Sequence, residues 1–278
     1  MANGPTGVPR RWLQFMAPVL AGLSALVFLP PAAAARAVAS GTVASTSAGS
    51  KARQWPGVVG AAMAYAAPRT SVPLQAPRVL PRAGLVPNSA QVRASTSQYS
   101  VALYHCASAL PVEHPGIGVG ACGSMASYYG YFEGHAYPGA MAALGALRLP
   151  APPCPHKSPV PLAAGVVATL YSGPLPKGNC EAAWHEAHWS FVLTGDLNGG
   201  THGDATLPWR QVASEVVSYL RGRSLPGDHG YMESDIAGDG LHTATYWQRG
   251  RDVYGASTYH GTLPALALAV AMTPYPAP

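Results

Sequence analysis

The stretch GACGSMASYYGYFEG, residues 120–134, decides the fold, because its cysteine supports two incompatible readings. Cys122 stands among small residues and precedes an aromatic run, so it is either half of a disulfide or a nucleophile at the mouth of a helix. Met125, Ala126, Tyr129 and Phe132 fall close to helical spacing, which predicts a short helix opening near Cys122 and weakened or ended at Gly130. A cysteine at that position sits at the positive end of the helix dipole, which lowers the thiol pKa and favours the nucleophilic thiolate. Backbone N–H groups at the same end can donate to a developing oxyanion.

A thiolate needs a base from elsewhere in the chain. Among the ten histidines, His188 has the best context, in AHWSFVLTGDLNGG, residues 187–200. Trp189, Phe191 and Leu193 alternate with Ser190, Val192 and Thr194, which predicts a strand ended by the turn signal Gly195-Asp196. A histidine opening a buried strand is placed to face a cleft. Sixteen residues later, Asp204 in HGDATLPW can orient the imidazole by accepting its second N–H, with Asp196 and Asn198 as competitors for that role.

The order ACGSMASYYGY, HWSFVLTGD, GDATLPWRQVASEVVSYL resembles the papain-like cysteine peptidases of the bacteriocin-leader-processing (double-glycine peptidase) type and their stand-alone secreted relatives. The likeness covers roughly residues 100–220 and leaves 222–278 as a C-terminal extension. It implies an α+β, papain-like fold, with the nucleophile helix packed on an antiparallel sheet that contains residues 189–194. It also implies a catalytic set of Cys122 as nucleophile, His188 as general base and Asp204 as orienting acid. Three departures stand out. Ser124 replaces the family's usual proline, Ala205 follows Asp204 where proline is common, and VALYHCASALPVEHPGIGVGACG holds no oxyanion glutamine, a role for which His105 is a candidate stand-in.

The N-terminus has Arg10 and Arg11 ahead of an apolar run from Trp12 to about Pro30, followed by small residues, the pattern of a cleaved secretory signal over residues 1–37. Residues 38–98 are rich in Ala, Ser, Thr and Pro, with little sustained periodicity in ASGTVASTSAGSKARQ and in the stretch after Pro68, so they are expected to be a disordered basic linker or pro-region. The folded domain is then expected over 99–278. Charge divides the same way: the first 98 residues carry nine Lys or Arg and no acid, and the rest carry eight Lys or Arg and all twelve acids. The net charge of +5 is thus concentrated on the tail, which argues against nucleic acid as a partner and suits the tail to weak contact with an anionic cell surface. No other segment is long enough to span a bilayer. The apolar LPALALAVAMTP reads as a buried strand or helix.

Cys106, Cys122, Cys154 and Cys180 all fall in the expected domain, where an exported chain would form two disulfides in one of three connectivities. If Cys122 is the nucleophile, Cys154 and Cys180 are the best-placed pair. The favoured activity is hydrolysis of a peptide or amide bond in a peptide or protein substrate, with no cofactor and no metal. A non-catalytic, disulfide-bonded papain-like binding domain is the alternative. Two rival constellations are weaker. Cys180, His185, His188 and His202 could ligate zinc, but they lack the helical spacing that puts two histidines on one face. Glu233, Asp235, Asp239 and Asp252 among Tyr231, Tyr246, Trp247 and Tyr254 are what a glycan-directed hydrolase or a carbohydrate-binding face would use.

Overall fold

The computed structural model describes residues 55–81, 84–149, 151–152, 154–173, 179–195, 197, 209–236 and 242–276. The signal segment 1–37 lies outside them, as do Asp196, Asn198, His202, Asp204 and Asp239. In chain order the elements are α1 (Gly57–Ala66), β1 (Gln75–Pro77), β2 (Ser89–Ser95), β3 (Gln98–Tyr104), β4 (Tyr128–Ala136), α2 (Ala140–Ala146), β5 (His156–Pro161), β6 (Val167–Ser172), β7 (Asn179–Glu186), β8 (Trp189–Thr194), α3 (Trp209–Leu220), β9 (His229–Asp235), β10 (His242–Arg249), β11 (Asp252–Thr258), α4 (Thr262–Ala271) and β12 (Met272–Pro274). The class is α+β. Ten strands form one sheet in the order β2-β3-β4-β11-β10-β9-β8-β7-β6-β5, and β1 pairs with β12. Every pairing is antiparallel except β8 with β9, which α3 joins as a crossover.

The expected helix after Cys122 is not formed. Gly120–Gly123 makes a single 3₁₀ turn, and the aromatic run enters the sheet as β4. Aromatic density favours the pleated, half-buried surface over a helix, and two glycines within five residues weaken a helix further. Gly130 marks a bulge, where Leu103 faces Gly130 but Tyr104 faces Tyr128. Its φ is 154°, and a Cβ there would lie 2.4 Å from the Ser257 carbonyl oxygen.

The boundary near residue 98 also moves. From residue 55 the described chain already belongs to one compact unit, which includes α1, β1 and β2. Val59, Ala62, Met63 and Ala66 of α1 are fully buried at the i, i+3, i+4, i+7 spacing of one helical face, packed on β2. The stripe is built largely from small residues, so its hydrophobic contrast is low and the composition reads as linker. From residue 55 onward, a linker is therefore not what the chain forms.

One face of the sheet carries the core. Register aligns Trp189, Gly230, Trp247, Tyr254, Gly134 and Tyr99 in a row across six strands. The Trp189 and Tyr99 rings lie over Gly230 and Gly134, where an added Cβ would come within 2.5 Å of each ring. Above this layer α4 packs on β10 and β11, and α3, which buries Trp209, Val212, Ala213, Val216, Val217 and Leu220, packs on α4. Tyr99 Oη accepts the Gln75 N–H and donates to the Gln75 carbonyl, both at 2.9 Å, fastening the N-terminal segment to the core.

Both sheet edges are blunted. On β2, the Glu113 carboxylate accepts the Val92 N–H, and the Glu113 N–H donates to the Ala90 carbonyl at 3.3 Å. On β5, Pro159 and Pro161 have no N–H to offer an incoming strand.

Candidate functional site

The residues expected to form a thiol active site do not come together. Cys122 pairs with Cys106 and Cys154 with Cys180, at Cα separations of 4.8 and 6.4 Å, so no free cysteine remains. Cys122 precedes β4 at one end of the sheet. His188 lies in the exposed β7–β8 turn, and its neighbour Trp189 is level with Gly134 through Gly230, Trp247 and Tyr254. That level is six residues along β4 from Tyr128, roughly 20 Å at 3.3 Å per residue, and four strand spacings across, about another 19 Å. A thiolate–imidazolium contact needs about 3–4 Å. The ring that His188 does meet is His229, at 5.2 Å between centroids. Asp204 lies outside the described residues. His105, the proposed stand-in for the oxyanion glutamine, is exposed, with Nδ1 2.7 Å from the Val86 carbonyl.

The rival sets fare differently. The zinc set loses Cys180 to its disulfide, and His202 lies outside the described residues. The carboxylate and aromatic set is split by strand alternation. Glu233, Asp235, Tyr231 and Tyr246 point to the face away from the helices. Trp247 and Tyr254 belong to the core row, and Asp252 shares their face. Glu233 and Asp252 therefore cannot form a catalytic pair. Glu233 and Asp235 share a strand and a face, two residues apart.

What the sheet assembles instead is a tyrosine- and carboxylate-bearing face. Register places His185, Ser190, Tyr231, Tyr246, Gly255 and Glu133 in one row. The next row holds Val192, Glu233, Ala244, Ser257 and Tyr131. The Tyr131 and Tyr246 hydroxyls are 2.9 Å apart, and the Tyr231 and Tyr246 rings lie 5.1 Å apart. Gly255 makes room for this packing: a Cβ there would sit 2.7 Å from the Tyr246 ring and 3.2 Å from Glu133 Cγ. His135 Nε2 lies 3.3 Å from Glu133 Oε2, and these two side chains keep 22 % and 12 % of their exposure.

Burial holds the Tyr131 phenol well above its ordinary pKa, with Tyr246 and the Glu133 charge adding to the effect. Tyr246 is raised in the same way, by burial first and then by Glu133 and Tyr231. Among the described residues, Glu133, Glu181, Glu233 and Asp235 lie on this face of β4, β9 and β7, and no Lys or Arg of β4 or β7–β11 does. The face is polar, acidic in character and rich in phenols, and those hydroxyls both donate and accept.

The sequence reading named Tyr231, Glu233, Asp235 and Tyr246 but missed Tyr131, Glu133, His135, Ser257 and His242. Alternation in YFEGHA from Tyr131 is the signal for this strand, and the helical spacing of Met125, Ala126, Tyr129 and Phe132 competes with it. No family model, no curated protein and no solved structure matches this chain.

Proposed function

We propose that this chain is an exported, disulfide-stapled binding domain that works without a thiol nucleophile, and that it takes its ligand on the tyrosine- and carboxylate-bearing face of the large sheet. One observation carries the choice over the thiol hydrolase implied by the sequence resemblance: Cys122 is bonded to Cys106, at the end of the sheet opposite His188. Two disulfides suit an oxidising compartment. Among the described residues no helix is long and apolar enough to cross a membrane. The ligand face combines phenols, carboxylates and a histidine, which favours a polar ligand held by hydrogen bonds over an apolar one.

The reading is tested on the non-reduced full chain. Iodoacetamide should leave all four cysteines unmodified, with Cys106–Cys122 and Cys154–Cys180 peptides recovered on mapping. Peptide-amide hydrolysis that disappears in His188→Ala, together with alkylation of Cys122, would restore the hydrolase. Binding itself is read by intrinsic fluorescence against panels of soluble oligosaccharides and peptides. Any response that belongs to this face should be weakened by Tyr246→Phe and Glu133→Gln. A response that neither change alters would place the ligand elsewhere.

A further inference from the structure

At the end of the same sheet face, near the Cys106–Cys122 loop, four rings stand in a row. His242 opens β10 and is 9 % exposed. Its Nε2 lies 3.0 Å from the hydroxyl of the fully buried Ser257. The Tyr259 ring packs on the imidazole at 4.2 Å between centroids. Tyr259 meets Tyr128 edge-on at 5.6 Å, and Tyr128 meets Tyr104 edge-on at 5.4 Å. Tyr104 closes β3 two residues before Cys106, and Tyr128 opens β4 six residues after Cys122, so this pair forms the neck of the disulfide loop. Tyr259 is 39 % exposed, whereas the imidazole it covers is buried.

We propose that His242 is the pin of an acid-released clasp: while neutral it holds Tyr259 against the sheet, and through Tyr259 the Tyr128–Tyr104 neck of the Cys106–Cys122 loop, and when charged it lets Tyr259 go. The argument starts from hydration. A charged imidazolium in a buried site must regain water or lose stability. Burial already pushes the His242 pKa down to about 4. The half-open phenol above it is the cover that can move without opening the core, because Ser257, on the other side, belongs to a paired strand.

The groups around His242 set what stays and what leaves. Asp235 stands directly opposite on β9, with Glu233 two residues back on the same face. From β4 come the Tyr128 and Tyr131 phenols, and from beyond β11 the Tyr259 phenol. His260 faces the other way, its Nε2 3.1 Å from the Tyr128 carbonyl. His242 belongs to the β9–β10 ladder and stays with the sheet, whereas Tyr259 lies past the end of β11, so the tyrosine is the part released. The clasp does not depend on the identity of any ligand.

The test labels the full chain with 3-fluorotyrosine and assigns the Tyr259 fluorine resonance by Tyr259→Phe. That resonance and the His242 Cε1 proton are then followed from pH 7.5 to 3.5, with circular dichroism monitoring the sheet. Tyr259 should shift toward the value of a solvent-exposed fluorotyrosine with the same midpoint as His242, well below the ordinary histidine value, while the circular dichroism stays constant. His242→Phe keeps a ring under Tyr259 and cannot titrate, so it should abolish the shift. A Tyr259 signal that ignores the His242 titration overturns the clasp, and so does an identical transition in His242→Phe. If His242→Phe does not fold, coincidence or divergence of the two wild-type midpoints still decides.

Discussion

Gly134→Ala probes the aromatic row that fastens the N-terminal segment to the sheet. A Cβ at Gly134 would lie 2.5 Å from Tyr99 Cε1, 3.0 Å from Cζ and 3.1 Å from Tyr254 Cδ1. Carbon atoms settle at roughly 3.5–4.0 Å, so the Tyr99 ring would have to retreat by about 1 Å. Tyr99 is fully buried, and its hydroxyl is fixed at both ends of Gln75 at 2.9 Å, so a retreat strains two hydrogen bonds as well as the packing. Overpacking costs about 1–3 kcal/mol, and each weakened hydrogen bond adds up to about 1 kcal/mol. The expected loss is therefore about 2–4 kcal/mol, or roughly 4–16 °C in Tm for a domain of this size. Urea denaturation with disulfides intact, followed by circular dichroism, measures it. Gly145→Ala on the surface of α2 is the control, because nothing lies within 4 Å of its Cβ position; it should be neutral or stabilising by up to about 1 kcal/mol. A Gly134→Ala variant within about 0.5 kcal/mol of the parent, the range of an innocuous surface change, would refute the Tyr99–Gly134 packing and the anchoring of Gln75 that depends on it.

Limited proteolysis should leave a resistant core that retains α1, beginning near residue 55, and mass spectrometry of the fragments checks this; a core starting near residue 99 would show that α1 is not docked. Replacing Cys106 and Cys122 by serine opens a loop with a sequence separation of 16 and should cost about 3 kcal/mol, read as a fall in the denaturation midpoint. The His242 pKa falls from 6.5 unfolded to about 4 folded, so its contribution is present above pH 6.5 and is lost as pH falls through 4, up to about 3 kcal/mol. The stability difference between the parent and His242→Phe, measured from pH 7.5 to 3.5, should change over that window; a pH-independent difference counts against the assignment. At the alkaline end, Tyr128, Tyr131 and Tyr246 have raised folded pKa values, so their contribution is present below pH 10 and is lost above it. Phenolate absorbance at 295 nm should therefore complete its rise only as the protein unfolds, and full ionisation of the native chain would contradict their burial.

Local pattern alone determined several elements. WSFVLT alternates cleanly and is β8, whereas the apolar LPALALAVAMTP fits a buried strand or a helix equally, and the fold makes it α4 running into β12. The segment after Asp204 carries its apolar residues at 3, 4, 7, 8 and 11 positions beyond Trp209 and is α3. These signals are legible because each element buries one face of its own sequence, so the period of burial is the period of hydrophobicity. The stripe on α1 was legible in the same way, but alanine gives it little contrast, and it was lost in a composition typical of linkers. The run after Cys122 shows the limit of such reasoning. Met125, Ala126, Tyr129 and Phe132 fit a helix, Tyr131, Glu133 and His135 fit a strand, and β3 and β11 on either side decide between them by supplying hydrogen-bond partners. The cysteine pairing, the distance between Cys122 and His188, and the sorting of Glu233 from Asp252 were all beyond local pattern. The pairing depends on which strands neighbour one another, the distance on register across five strands, and the sorting on register across β9, β10 and β11; register joins residues more than a hundred positions apart, such as Gly134 and Tyr254. Only the assembled sheet brings those residues side by side.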